Sequence, residues 1–241
     1  MTEQMTAQSQ TPTTATPAST SVPQTALSLD VVRELDLEEF GQIHGVTCDD
    51  DGQVWFAYGD GGLACVEPAS GRVVRHFEDC GATAGTAFDG THLWQITGDR
   101  IVRMDPATGE VVHAIPQPEG HCAGMAWAEG ALWVGAYADQ RILKIDPDTG
   151  EVLKTLEADR LVTGVTWLGE ALWIGAWKQS DAPWDAELQR LDQETGRVLE
   201  RHPMAGGTRV SGLGADEGKG LLWCGGCAEG GVSAVRVAAS A

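Results

Sequence analysis

Apolar residues along this chain come in short alternating runs, each broken by Gly, Asp or Pro. The stretch 124–157 shows the pattern in full, as "GMAWAEG", "ALWVGAY", "RILKIDP" and "GEVLKTLE". Alternation of period two over runs this short predicts half-buried strands, and no helical spacing of about 3.6 residues interrupts it. The turn "DPDTG" between the third and fourth runs suits a tight reversal, because proline presets φ and glycine accepts positive φ. Four consecutive antiparallel strands, A to D, are predicted.

The unit recurs. Val54-Trp55, Leu93-Trp94, Leu132-Trp133, Leu172-Trp173 and Leu222-Trp223 mark five copies, and Gly45, Gly85, Gly124, Gly164 and Gly212 stand ahead of them in turn. The first four copies close on "EPASGRVV", "DPATGEVV", "DPDTGEVL" and "DQETGRVL". A repeat of about 40 residues with four strands and no helix specifies a blade of a β-propeller. The fifth copy, "GLGADEGKGLLWCGGCAEGGVSAVRVA", supplies only three strands, while "LDVVRELDLEE" near the start mirrors "GEVLKTLEAD". The segment Leu29 to Leu37 is therefore expected to complete the last blade and cover both open sheet edges. The fold class is all-β: a five-bladed propeller over residues 28–241, closed by its N-terminal strand. The five repeated tryptophans, with Trp127 and Trp167, are expected to pack between blades.

In a symmetric fold, chemistry is sought where the copies differ. The starts of strand A are "GQIHGVT", "ATAGTA", "GHCAGMA", "LVTGVT" and "RVSGLG". Positions two apart in an extended chain share a side, so Gln42, His44, His121, Thr163, Arg209 and Ser211 could converge at one mouth of the central channel. The B-to-C loops open on the same face and add Tyr58 and Asp60, Tyr137 and Asp139, then Trp177 and Lys178. Blade four carries an insertion there, "KQSDAPWDAE", with Asp181, Trp184 and Asp185. It reads as a lid over the channel, with a tolerated surface insertion as the alternative. His202 falls in a lengthened connection before blade five, whereas His76, His92 and His113 are expected on the surface away from the mouth.

Composition narrows the choices. The formal charge of −19, from 35 acidic and 16 basic residues, argues against nucleic acid and anionic membrane surfaces as partners. No apolar run is long enough to span a bilayer. Residues 1–27 hold no Lys or Arg, no apolar core of a signal peptide, and mostly Thr, Ser, Pro, Gln and Ala. They are expected to form a disordered tail, and the protein to be a cytoplasmic monomer with reduced thiols. Cys224 and Cys227 have CxxC spacing, yet they begin on a strand, with no second pair for zinc and no helix for redox chemistry. Cys122, beside His121, stays open as a site residue or a buried thiol.

The first unit, "IHGVTCDDDGQVWFAYGDGGLACVEPASGRVV", resembles blades of the streptogramin (virginiamycin B) lyase and SMP-30/gluconolactonase propellers. The "DPxTGEV" turns and the count of five resemble the glutamine cyclotransferases. This resemblance implies small-molecule chemistry at the channel mouth, of lyase, hydrolase or cyclotransferase type. In such an enzyme His44 or His121 would be the general base, since imidazole titrates near neutrality. Tyr58 or Tyr137 would donate a proton or hydrogen bond. Arg209 would hold a substrate carboxylate, with Gln42, Thr163, Lys178 and Ser211 lining the site and Trp177 and Trp184 covering it. A variant with a divalent metal (zinc, iron or copper) would use His44, His121 and either His202 or a carboxylate as ligands. The alternative is a non-catalytic propeller that binds a small ligand or protein partner on the same face.

Overall fold

The computed structural model describes residues 29–178, 185–204, 209–226 and 230–237, so the tail 1–27, Asp181, Trp184 and Cys227 lie outside the described residues. Twenty strands form five four-stranded antiparallel sheets, each ordered A-B-C-D. Blade one runs Ile43–Cys48, Val54–Tyr58, Gly62–Glu67 and Arg72–Phe77, with every strand beside its sequence neighbour. Each A strand also touches the A strand of the next blade, around the full circle. The molecule is thus a closed five-bladed β-propeller with the A strands innermost.

Closure follows the sequence pattern. Strand Leu29–Asp36 pairs antiparallel with Gly231–Val237, in a register from Leu29 opposite Val237 to Asp36 opposite Gly231. The N–H of Leu37 then donates to Gly230 O at 2.9 Å. Arg33 reaches across to the carbonyls of Pro68 and Ala69 in the C–D turn of blade one, and the Ser211 hydroxyl donates to Ile43 O. The ring is therefore stitched at its seam by side chains as well as by the strand.

The repeated tryptophans form the packing between sheets. Trp55, Trp94, Trp133 and Trp223 are at most 2% exposed. Trp94 stacks on Trp127 of the next blade at 6.1 Å, and Trp133 meets Trp167 at 5.4 Å. A buried indole N–H needs an acceptor. Asp49 supplies one to Trp55 at 2.9 Å, and Asp89 one to Trp94 at 2.8 Å. In the C–D turns, Asp146 accepts from the N–H of Asp148 and from both the N–H and hydroxyl of Thr149. Those bonds, led by the Thr149 N–H, hold its carboxyl below the usual range, and Asp192 repeats the arrangement with Thr195.

The five repeated glycines have one shared cause. Each sits where neighbouring inner strands come closest. A Cβ on Gly45 would lie 2.5 Å from Ala84 O, one on Gly85 2.5 Å from Ala123 O, and one on Gly212 2.8 Å from the Cα of Gly45. On Gly124 and Gly164 it would run into Val165 and Leu213. The inner strands are therefore drawn closest together at this level, a neck of the ring where no side chain stands between adjacent backbones. On one side of the neck lies the predicted mouth, built from D-to-A and B-to-C loops. On the other lies a vestibule built from A–B hairpins.

Blade four departs from its neighbours in strand C. Where blades two and three have the exposed Arg100 and Arg141, blade four has Glu187, 3% exposed. Its carboxylate accepts from Arg160 Nε at 3.0 Å, from Arg201, and from the amide of the fully buried Gln189. Arg201 also pairs with Asp159, and Arg160 with Asp185 at 2.9 Å. Burial pushes the Asp159 carboxyl up, but hydrogen bonds from Arg201 and Gln189 and the charges of Arg201 and Arg160 outweigh that and hold it low. The network pins Asp185, the residue at which the chain returns from the blade-four insertion.

Candidate functional site

At the mouth the structure sets the side chains of Tyr137, Trp177 and Arg209, from blades three, four and five, side by side, with His121 joined to Tyr137 through the backbone. His121 is exposed at the start of strand A of blade three, and its carbonyl accepts from the Tyr137 N–H at 2.8 Å. Tyr137 directly follows strand B of the same blade, Ala131–Ala136, with its ring 5.8 Å from that of Trp177. Trp177 lies in strand Ala171–Lys178 of blade four, opposite Leu161 and Ala186. The Arg209 guanidinium, from the start of blade five, lies 5.9 Å from the Trp177 ring centroid. Burial raises the Tyr137 phenol above its ordinary value, and the Arg209 charge offsets this only in part. At neutral pH Tyr137 is therefore a hydrogen-bond donor and not a base. Asp139 packs over Gly120, next to His121, and burial, aided by the Asp139 charge, pushes the Cys122 thiol up to about 12. Cys122 is a buried, unreactive thiol rather than a nucleophile.

A second group of expected residues sits across the mouth. Gln42, His44, Asp60 and Thr83 line an open hollow of about 460 Å³. His44 Nε2 is bonded to Gly59 O at 2.8 Å, so one imidazole nitrogen is committed to the fold. No ring contact joins His44 to His121 among the described residues.

Other expected residues serve the fold. The Thr163 hydroxyl donates to Gly175 O at 3.0 Å across strands A and B of blade four. Ser211 is the seam bond to Ile43 O already described. Tyr58 turns outward along its blade: its ring covers Gly62, meets Phe40 at 4.8 Å, and its hydroxyl pairs with His76 on strand D. A strand-end position sets where the Cα lies, while the absent side chain at Gly62 lets the ring fold away from the channel. His202 is fully buried on the outermost strand of blade four, 5.5 Å from the Trp173 ring and 3.3 Å from Glu200. It is not free to join His44 and His121, and among the described residues no group of three His, Cys, Asp or Glu side chains could hold a metal ion. Lys178 is exposed, opposite Asp185 at the root of the insertion, while Trp184 falls outside the described residues.

Beyond the glycine neck, the A–B hairpins enclose a vestibule of about 620 Å³. Asp50, Asp51, Glu129 and Glu217 stand around it, with Trp127, Trp167 and Phe88 in its walls. In the sequence its residues look like blade-building strands and turns. The signal available was the run Asp49-Asp50-Asp51, longer than a turn requires.

No protein-family model and no curated protein matches the chain. Among solved structures it is similar to the glutaminyl cyclase of Myxococcus xanthus, at 15% identity over 90% of this chain and 99% of that one, with a TM-score of 0.73. It is also similar to a chain of the mitotic checkpoint complex, at 12% identity over 99% of both chains and a TM-score of 0.54. The likeness is one of fold. It agrees with the propeller group that the repeat resembles, and at such identities it assigns no activity. Among the described residues no helix is long and apolar enough to cross a membrane.

Proposed function

We propose that the protein is a small-molecule enzyme of lyase, hydrolase or cyclotransferase type, acting on a carboxylate-bearing substrate at the mouth of the channel. The observation that carries this is the group of Tyr137, Trp177 and Arg209, drawn from three blades, with His121 held beside Tyr137 by a backbone bond. Arg209 supplies a planar donor fork matched to a carboxylate, and Trp177 an apolar wall beside it. Tyr137, protonated at neutral pH, can donate to an oxygen on which charge develops. His121, exposed at the rim and beside Tyr137, takes the base role in preference to the half-buried His44 across the mouth. A glutaminyl cyclase of the same fold makes glutaminyl peptides the natural first substrates to try.

A second reading, binding without turnover, is favoured by the separation of the two histidines onto different blades. One experiment divides the two. The full chain is incubated with glutaminyl dipeptides and with carboxylate-bearing esters and lactones, and release of ammonia or acid is followed. Turnover that falls at least about 100-fold in His121→Ala is the outcome expected of a general base. Saturable quenching of tryptophan fluorescence without turnover of any compound would establish the binding reading instead.

A further inference from the structure

We infer that the vestibule on the A–B hairpin face is a second ligand site, separate from the mouth, and that it takes a small organic amine in its cationic form. It lies beyond the glycine neck, at the opposite end of the inner strands from the mouth. Its volume of about 620 Å³ suits a flexible molecule of modest size.

Most acids around it are already satisfied. Asp49 accepts from the N–H groups of Asp51 and Gln53 and from Trp55, while Asp216 holds the Lys219 ammonium at 2.6 Å. Glu129 holds Lys144 at 2.7 Å, and Glu217 accepts from the Gly169 N–H across to blade four. Asp50 and Asp51, exposed at the tip of the blade-one hairpin, make no side-chain bond to any described residue, so their charges are available to a guest at the rim. A concave wall of low polarizability focuses such charge on a cation within it. Trp127, Trp167 and Phe88 add aromatic surface, which attracts cations at ring faces and covers an alkyl chain.

Thr166 points to a ligand independently of the acids. It lines the vestibule at only 6% exposure, and its hydroxyl has no partner among the described residues. By contrast, Thr86 one residue nearer the neck in blade two donates to Trp94 O at 3.2 Å. A buried hydroxyl left open toward a cavity is a ready acceptor for an ammonium N–H. Two free carboxylates, an open hydroxyl and aromatic walls together describe an amine with an apolar chain.

Spermidine is the probe, titrated calorimetrically into the full chain at moderate salt. The site predicts saturable binding of one molecule, weakened about ten-fold or more by Asp50→Asn with Asp51→Asn. It predicts weakening of about five-fold by Thr166→Val, which removes one hydrogen bond at nearly constant volume. The charge-matched pair Asp30→Asn with Glu34→Gln, on the exposed closing strand, should leave affinity unchanged, as should Arg209→Met at the mouth. Equal weakening by the two charge pairs, or uptake that never saturates, would mean diffuse attraction to an acidic protein and would overturn the site. Weakening by Arg209→Met would place spermidine at the mouth and overturn it too.

Discussion

The ring of five neck glycines and the ring of residues immediately before them lie one position apart and behave oppositely. The glycines are the same in every blade, because each Cβ would collide with the neighbouring inner strand. The residues before them, His44, Ala84, Ala123, Thr163 and Ser211, differ in nearly every blade. Invariance across the repeat marks packing. Variation does not by itself mark function: Thr163 and Ser211 vary and still bond to the fold, whereas Tyr137, Trp177 and Arg209 gather beside His121 into an arc at the mouth.

The contrast is broken most severely by Gly124→Val. Its side chain would be driven into the backbone of Gly164 and Val165, and neither can retreat without parting two blades. A loss of about 4 kcal/mol or more, seen as failure to fold or a large fall in Tm, is expected. A variant as stable as the native chain would refute the neck.

Glu187→Ala comes next. It strands Arg160 and Arg201 in a partly buried network, at a cost of about 3 kcal/mol in urea unfolding. The analogous exposed position in blade three, Arg141→Ala, should change stability by less than about 0.5 kcal/mol. Equal effects at the two positions would mean that the blade-four network is ornamental.

Finer still is the division among the mouth residues. Ser211→Ala and Thr163→Val should each cost about 1 kcal/mol, the worth of an ordinary hydrogen bond. His121→Ala and Arg209→Met should cost less than about 0.5 kcal/mol, because both side chains are exposed. A melting series that failed to separate these pairs would blur fold residues into site residues.

The fold was legible in the sequence because a propeller writes its geometry many times over. Period-two alternation gave the strands, the Leu-Trp dipeptides gave the blade count, and the three-strand fifth unit placed Leu29–Asp36 at the seam. That Tyr137, Trp177 and Arg209 are neighbours was legible for a related reason: a residue that departs from its copies at a strand end stands out. What stayed hidden depends on side-chain direction and on contacts between distant blades. Tyr58 and Tyr137 hold the same repeat position, but the first folds over Gly62 toward His76 and the second meets Trp177. His202 looked like a loop residue and is a strand residue packed on Trp173. Glu187 was visible only as a sign reversal from Arg100 and Arg141, and its three donors come from segments that no spacing rule connects.

The central claim is that the arc over blades three to five receives the small molecule, and crystallography tests it most directly. Crystals of the full chain would be soaked with a glutaminyl dipeptide that the protein turns over or binds. The account predicts difference density at the mouth, with a carboxylate on Arg209, the aliphatic part against Trp177, and His121 and Tyr137 within hydrogen-bond reach. Density in the vestibule or on the outer strands, with Arg209 and Trp177 left uncovered, would contradict it.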